Sequence, residues 1–152
     1  MCFLAAPESL SAAMPEWTAL HARQHAEMNT AGDLAPLNVN LDAYRALDAA
    51  GVMSFVALRA DGALVGYNLS FVQPSLHFQT TLCAVQDGLY IVPEWRRGMG
   101  ALRLLRATQR DLEARGVRRW LVNEVVGHPL GRMFKAYGFQ PVETYHELWL
   151  GE

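Results

Sequence analysis

Cysteine is scarce in this chain. Only Cys2 and Cys83 occur in 152 residues, far apart and without ligand spacing, so neither a disulfide framework nor a cysteine metal site is expected. Cys83 falls in an apolar run, where a buried thiol is the ordinary outcome, and a reducing cytoplasm suits this usage. An excess of one charge is also lacking: 13 Lys+Arg against 15 Asp+Glu leave a formal net charge of −2, which sets up no global field toward nucleic acid or membrane. No apolar run reaches the length of a membrane span. The opening MCFLAAPESLSAA has small residues but no positive region and only a very short apolar stretch, so it reads as mature protein rather than a leader. Repeats and low-complexity segments are missing as well. What remains is an ordinary globular composition, 51% hydrophobic and 18% charged, of a length that suits one domain over residues 1–152 with a real core.

The pattern along the chain alternates helix and strand signals. PEWTALHARQHAEMN predicts a helix with Pro15 in its first turn and Trp17, Leu20, His21 and Met28 on one face. LDAYRALDAAG predicts a second helix ended by Gly51, and TAGDLAPLNVN between them has the composition of a loop. VMSFVALRA and ALVGYNLSFV flank Asp61-Gly62, a strong hairpin signal. A second hairpin turns near PSLHFQ and returns through TTLCAVQDGLYIV as the central strand. After Pro93 a long helix is expected, with Ala101, Leu102, Leu105, Gln109 and Leu112 at helical spacing and Gly116 as its cap. VRRWLVNEVV reads as a strand, PLGRMFKAYG as a short helix ended by Gly138, and ETYHELWL as a last strand. The order predicts an α/β (α+β) sandwich around a mixed, mostly antiparallel sheet flanked by helices.

The arginines are unevenly placed. Arg96, Arg97, Arg103, Arg106, Arg110, Arg115, Arg118 and Arg119 crowd the stretch after Pro93, which points to a local anion site in a nearly neutral protein. Arg96, Arg97, Gly98, Met99, Gly100 and Ala101 lie where the strand hands over to the long helix. A helix N-terminus exposes unpaired N–H groups and the positive end of its dipole. Glycines let the backbone come close, and arginine forks match phosphate oxygens. The combination fits a pyrophosphate seat. A P-loop requires Lys-Ser/Thr after its last glycine, and the dinucleotide fingerprint requires a third glycine; Ala101 and Leu102 stand there instead. The plain structural alternative is a tight turn with solvated arginines.

With these residues set out, the chain resembles the GNAT superfamily of N-acetyltransferases. Tyr90-Ile91-Val92-Pro93-Glu94-Trp95-Arg96 matches the family's V-x-P-x-x-R segment. Arg97-Gly98-Met99-Gly100 matches its Arg/Gln-x-x-Gly-x-Gly/Ala turn, either one residue short or with Leu102 in the place of the second small residue. Phe134-Lys135-Ala136-Tyr137-Gly138-Phe139 matches the later aromatic helix that ends in Gly-Phe. GYNLSFVQPSLHFQTTLCAVQDGLYIVPEWRRG looks more particularly like small bacterial and phage-encoded members of unknown substrate. The resemblance implies acetyl-CoA as co-substrate and direct attack of a primary amine on its thioester, without a covalent acyl-enzyme. It also implies that Ile91 and Val92 pair their backbone with the pantetheine arm. Phe134 stands where many members carry a proton-donating tyrosine.

Asp87 is the preferred base, because strand periodicity puts residues 87, 89 and 91 on one face and partial burial there would favour proton uptake. The structural alternative is a bulge at Asp87-Gly88 with the carboxylate capping local backbone. Glu124 is the alternative base, itself readable as a solvated strand residue, and Tyr137 a hydroxyl in place of the one Phe134 lacks. His25 and Glu27 are candidate acceptor contacts. His21 and His25 have helical metal spacing, but no third ligand is in view, so no metal is expected. The expected partner is a small-molecule or peptide amine, with neither membrane nor nucleic acid, and a homodimer is left open. The competing reading is a catalytically weak or inactive acyl-CoA-binding or protein-interaction module that retains the fold.

Overall fold

The protein is described here by a computed structural model covering residues 2–28 and 36–151. Part of the expected loop Thr30–Asn40, and Asn29 at the end of the first predicted helix, lie outside the described residues. The elements in chain order are β1 (Phe3–Pro7), α1 (Leu10–Met28), α2 (Leu41–Ala49), β2 (Met53–Ala60), β3 (Ala63–Pro74), β4 (Leu82–Ile91), a 3-10 turn at Pro93–Trp95, α3 (Gly100–Ala114), β5 (Arg119–Leu121) and α4 (Gly131–Tyr137). They form one sheet of order β1-β2-β3-β4-β5, in which only the β4–β5 pairing is parallel. This is the mixed, mostly antiparallel sheet that the pattern predicts.

The hairpin at Asp61-Gly62 forms as expected, with φ of 48° and 89° at the two turn residues, the left-handed pair that matches strand twist. In β2 every residue but Arg59 is buried. Its apolar run Phe55–Leu58 follows from burial on both faces, with α3 packed on one of them. Arg59 is held by Glu8 at 2.7 Å and Glu16 at 3.1 Å, and the hydrogen bonds it donates to these carboxylates raise its pKa. On the opposite face Ser54 donates to Asp111 of α3 at 2.6 Å.

Four expectations need correction. The chain opens with a strand, β1, paired antiparallel to β2 from Phe3↔Ala60 to Pro7↔Val56; an edge strand needs little alternation and tolerates a terminal proline. Helix α1 begins at Leu10, so Pro15 lies inside it rather than in its first turn. The buried residues of α3 are Gly100, Leu104, Leu105, Ala107, Thr108 and Leu112: Leu105 and Leu112 are buried as expected, whereas Ala101 and Leu102 are half-buried and Gln109 is exposed. Finally, Glu143 to Leu150 form no strand: Val142, Tyr145, Leu148 and Leu150 are exposed. A β-like composition makes a strand only where an edge receives it.

Candidate functional site

The site is built by the failure of two strands to stay together. β4 and β5 pair through only three residues, Cys83↔Arg119, Ala84↔Trp120 and Val85↔Leu121, and then separate. At the parting, Asn123 Nδ2 donates to the Gln86 carbonyl at 3.0 Å and Gln86 Nε2 donates to the Asn123 carbonyl at 3.1 Å. Immediately beyond, β4 carries a bulge: Ser70 faces Gln86 and Leu69 faces Gly88, so Asp87 is the extra residue. A bulge bends its strand away from its neighbour. The rest of β4 stays with β3, where Gly66 permits close approach; a Cβ there would lie 2.8 Å from the Tyr90 carbonyl oxygen.

The opening fork leaves a cavity of about 440 Å³ lined by Leu89, Tyr90 and Ile91 of β4, Ala101 and Leu105 of α3, Met28 of α1, Arg96, and His128, Leu130 and Met133 beyond β5. α3 starts at Gly100 beside it. Its N-cap, Met99, makes no side-chain cap bond, so its first N–H groups are left for an external acceptor. Gly98 has φ of 96°, a left-handed value that suits glycine. A Cβ on Gly100 would meet Leu58 Cδ2 at 3.3 Å. Arg97 and Met99 are exposed, and among the described residues Arg97 forms no ion pair.

Arg96 is differently employed. Its Nε donates to the Ile91 carbonyl at 2.8 Å, its NH2 reaches Glu27 at 2.7 Å, and its guanidinium lies 5.4 Å from the Tyr90 ring centroid. Glu27 also accepts from the Tyr90 hydroxyl at 2.9 Å. Burial alone would raise the Glu27 pKa, but the bonds from Arg96 and Tyr90 and the Arg96 charge outweigh it and hold the carboxyl below its ordinary value. Burial, followed by Glu27, pushes Tyr90 up. Thus the predicted residues Arg96, Ile91 and Ala101 line the cavity, and Glu27 joins them through Arg96. His25 is half-buried on α1.

Val92 departs from expectation. Its N–H donates to the Val65 carbonyl at 2.9 Å and its own carbonyl accepts from Trp95 N–H at 2.9 Å. It has no N–H left for an added strand, because the 3-10 turn begins here. The fork edge of β4 lies earlier, toward Ile91.

The bulge also breaks the expected alternation. Leu89 and Ile91 line the cavity with α3 residues, whereas Asp87 turns to the helix pair on the other face and accepts a 2.7 Å hydrogen bond from the Tyr44 hydroxyl of α2. Asp87 is exposed, so the burial expected of it is absent. Tyr44 was not legible as a site residue, since nothing local to α2 marks it. Burial first, then the Asp87 bond and charge, keep its phenol protonated well above the usual range. His21 stacks on Trp17 at 4.9 Å, and its Nδ1 lies 3.3 Å from the Tyr67 hydroxyl. Burial lowers its pKa against the opposing pull of Asp87.

Two candidates are otherwise engaged. Glu124 Oε2 accepts from the backbone N–H of Leu130 and, at 2.6 Å, of Gly131; it caps α4, a role that leaves it poorly placed to take a proton from a substrate. Tyr137 donates to Gln109 Oε1 at 2.6 Å and lines a second hollow with Trp120 and Phe139, outside the fork. Phe134 is buried. Leu105, His128 and Met133 are lining residues that sequence reading missed; only the helical spacing of Leu105 carried a signal.

No protein-family profile matches the sequence, and no curated protein matches it significantly. Solved structures do match its fold. An aminoglycoside acetyltransferase from an uncultured soil metagenomic sample superposes with a TM-score of 0.77 at 15% identity, over 99% of this chain and 100% of that one. A predicted acetyltransferase from Clostridium acetobutylicum, solved with acetyl-CoA, gives 0.74 at 13% identity over 98% and 97%. The ribosomal-protein-alanine N-acetyltransferase of Brucella melitensis biovar Abortus 2308 gives 0.72 at 15% identity over 99% and 100%. The five-stranded, mostly antiparallel sheet flanked by helices and these superpositions agree: the chain carries the fold of the GNAT acetyltransferases.

Proposed function

We propose that the protein is an N-acetyltransferase that moves an acetyl group from acetyl-CoA to a primary amine. The observation that carries this reading is the fork between β4 and β5, which opens on an apolar cavity beside an uncapped helix N-terminus. The residues suit the co-substrate. Leu89, Ile91, Ala101 and Leu105 offer an apolar wall to an extended arm, and the head of α3 with Arg97 offers N–H groups and charge to a pyrophosphate. Acetyl-CoA supplies the activated acyl group as a thioester.

The protein's part is to seat that thioester, exclude water from it and accept a proton from the amine. An ammonium must lose a proton before it attacks. Asp87 takes it, directly or through water, from its place on the bulge two residues before the cavity wall begins. The amine nitrogen bonds to the acyl carbon, the carbon–sulfur bond breaks and the thiolate leaves, while the nitrogen's second proton passes to water as the amide forms. With a thiol pKa near about 8.5, water can protonate the departing sulfur, so a buried Phe134 in place of a tyrosine is tolerable. Glu27, bonded to Arg96 of the cavity wall, and His25, two residues before it on α1, are the side chains proposed to face the acceptor.

A second reading rests on the same phenylalanine. With Phe134 buried and Tyr137 turned toward Gln109, the fold would serve acyl-CoA binding or a protein contact without turnover. Release of free thiol from acetyl-CoA, followed across a broad panel of amines, separates the two. Amine-dependent release supports transfer; CoA affinity without release under any amine supports the binding module.

A further inference from the structure

We infer that Tyr44 is the positioning residue of this site: its hydroxyl donates to Oδ2 of Asp87 at 2.7 Å and leaves Oδ1 as the carboxylate oxygen open to the incoming amine. The inference rests on the proposed role of Asp87 as proton acceptor. The bulge carries Asp87 out of the ladder to an exposed position, where a short side chain would otherwise sample several rotamers. A reacting group so loosely held loses much of the advantage of proximity.

The structure holds Tyr44 itself firmly. Its ring packs against Trp17 at 5.0 Å and Phe71 at 6.4 Å. α2 is tied at both ends, by Asn40 Oδ1 accepting from Ala43 N–H at 3.0 Å and by Asp48 Oδ2 accepting from Ser9 and Ser11 at 2.9 and 2.8 Å. The other titratable groups facing Asp87 are His21 from α1 and Tyr67 from β3. They are bound to one another at 3.3 Å, and Tyr67 also donates to Gln24. Among the described residues only Tyr44 donates to the Asp87 carboxylate.

Tyr44→Phe removes the hydroxyl and keeps the ring. It is expected to lower kcat/KM about tenfold near neutral pH, to leave CoA affinity unchanged, and to move the acid limb of the kcat/KM profile to higher pH, because a donor that favours the charged carboxylate is gone. The limb must move equally in a His21→Asn background, since His21 is the other group able to shift it. In the unmodified protein the 13Cζ resonance of Tyr44 is expected to step through the pH range of that acid limb. An unmoved limb with normal turnover in Tyr44→Phe, or a Tyr44 resonance flat across the limb, overturns the inference, and the second readout needs no variant to fold. Asp87→Asn distinguishes the layers: if it remains fully active the role of Asp87 itself has failed, whereas an inactive Asp87→Asn beside a normal Tyr44→Phe shows that only the positioning has.

Discussion

At the scale of single residues, Asp87 and His25 carry the sharpest consequences. Asp87→Asn preserves size and removes the basic group, so turnover should fall roughly a hundredfold or more while acetyl-CoA binding changes little. The deficit should shrink at high pH, where more of the amine is neutral without help. Near-normal turnover across the pH range would make the aspartate a structural feature of the bulge. His25→Ala should change the apparent affinity for amine more than that for acetyl-CoA. His25 is the cleaner probe of the acceptor side, because Glu27 also holds Arg96 at 2.7 Å and its loss would disturb the cofactor turn. Equal losses for both ligands would place His25 outside the acceptor wall.

At the scale of elements, the short helix α4 depends on a carboxylate seven residues before its start. Glu124→Gln removes a charge from the α4 N-terminus and should cost about 1 kcal/mol, read as a lower Tm, with acetyl transfer retained. A large loss of activity at unchanged stability would instead return Glu124 to the list of bases. Strands and helices marked by strong local chemistry were legible in the sequence. Asp61-Gly62 announced its hairpin because few pairs accept two left-handed residues, and Gly138, with φ of 121°, closed α4 for the same reason. The bulge was legible only as one of two readings of Asp87-Gly88, since an extra residue changes no composition. The face that Asp87 occupies was therefore misjudged: period-two counting assumes an unbroken ladder, and the register slips between Leu69 and Ser70. Tyr44 was invisible for a further reason. Its partner is 43 residues away, and only the packing of α2 over the sheet brings them together.

At the scale of the whole molecule, acid should loosen the fold through particular carboxylates. Hydrogen bonds from Arg59 to Glu16, and from Ser9 and Ser11 to Asp48, join the Arg96 and Tyr90 bonds to Glu27 in holding folded-state pKa values below the ordinary 4.5 for glutamate and 3.8 for aspartate. Depressed values mean that this stabilisation is complete above the ordinary pKa and is lost as pH falls through the folded values. Tm should thus hold steady down to about pH 5 and drop steadily below it. Glu27→Gln should flatten part of that drop. A Tm unchanged between pH 5 and pH 3 would contradict the assignment.

The fork and the head of α3 are proposed to seat the co-substrate, and titration calorimetry with CoA reads that seat without any acceptor amine. The unmodified protein should bind CoA. Arg97→Glu, on an exposed side chain without an ion-pair partner among the described residues, should weaken binding about tenfold or more by reversing a charge at the proposed pyrophosphate seat. Gly100→Val should weaken it as well, because its side chain would press on buried Leu58 and displace the head of α3. No binding by the unmodified protein, or equal CoA affinity in all three well-folded forms, would show that the fork and the head of α3 are not the CoA seat.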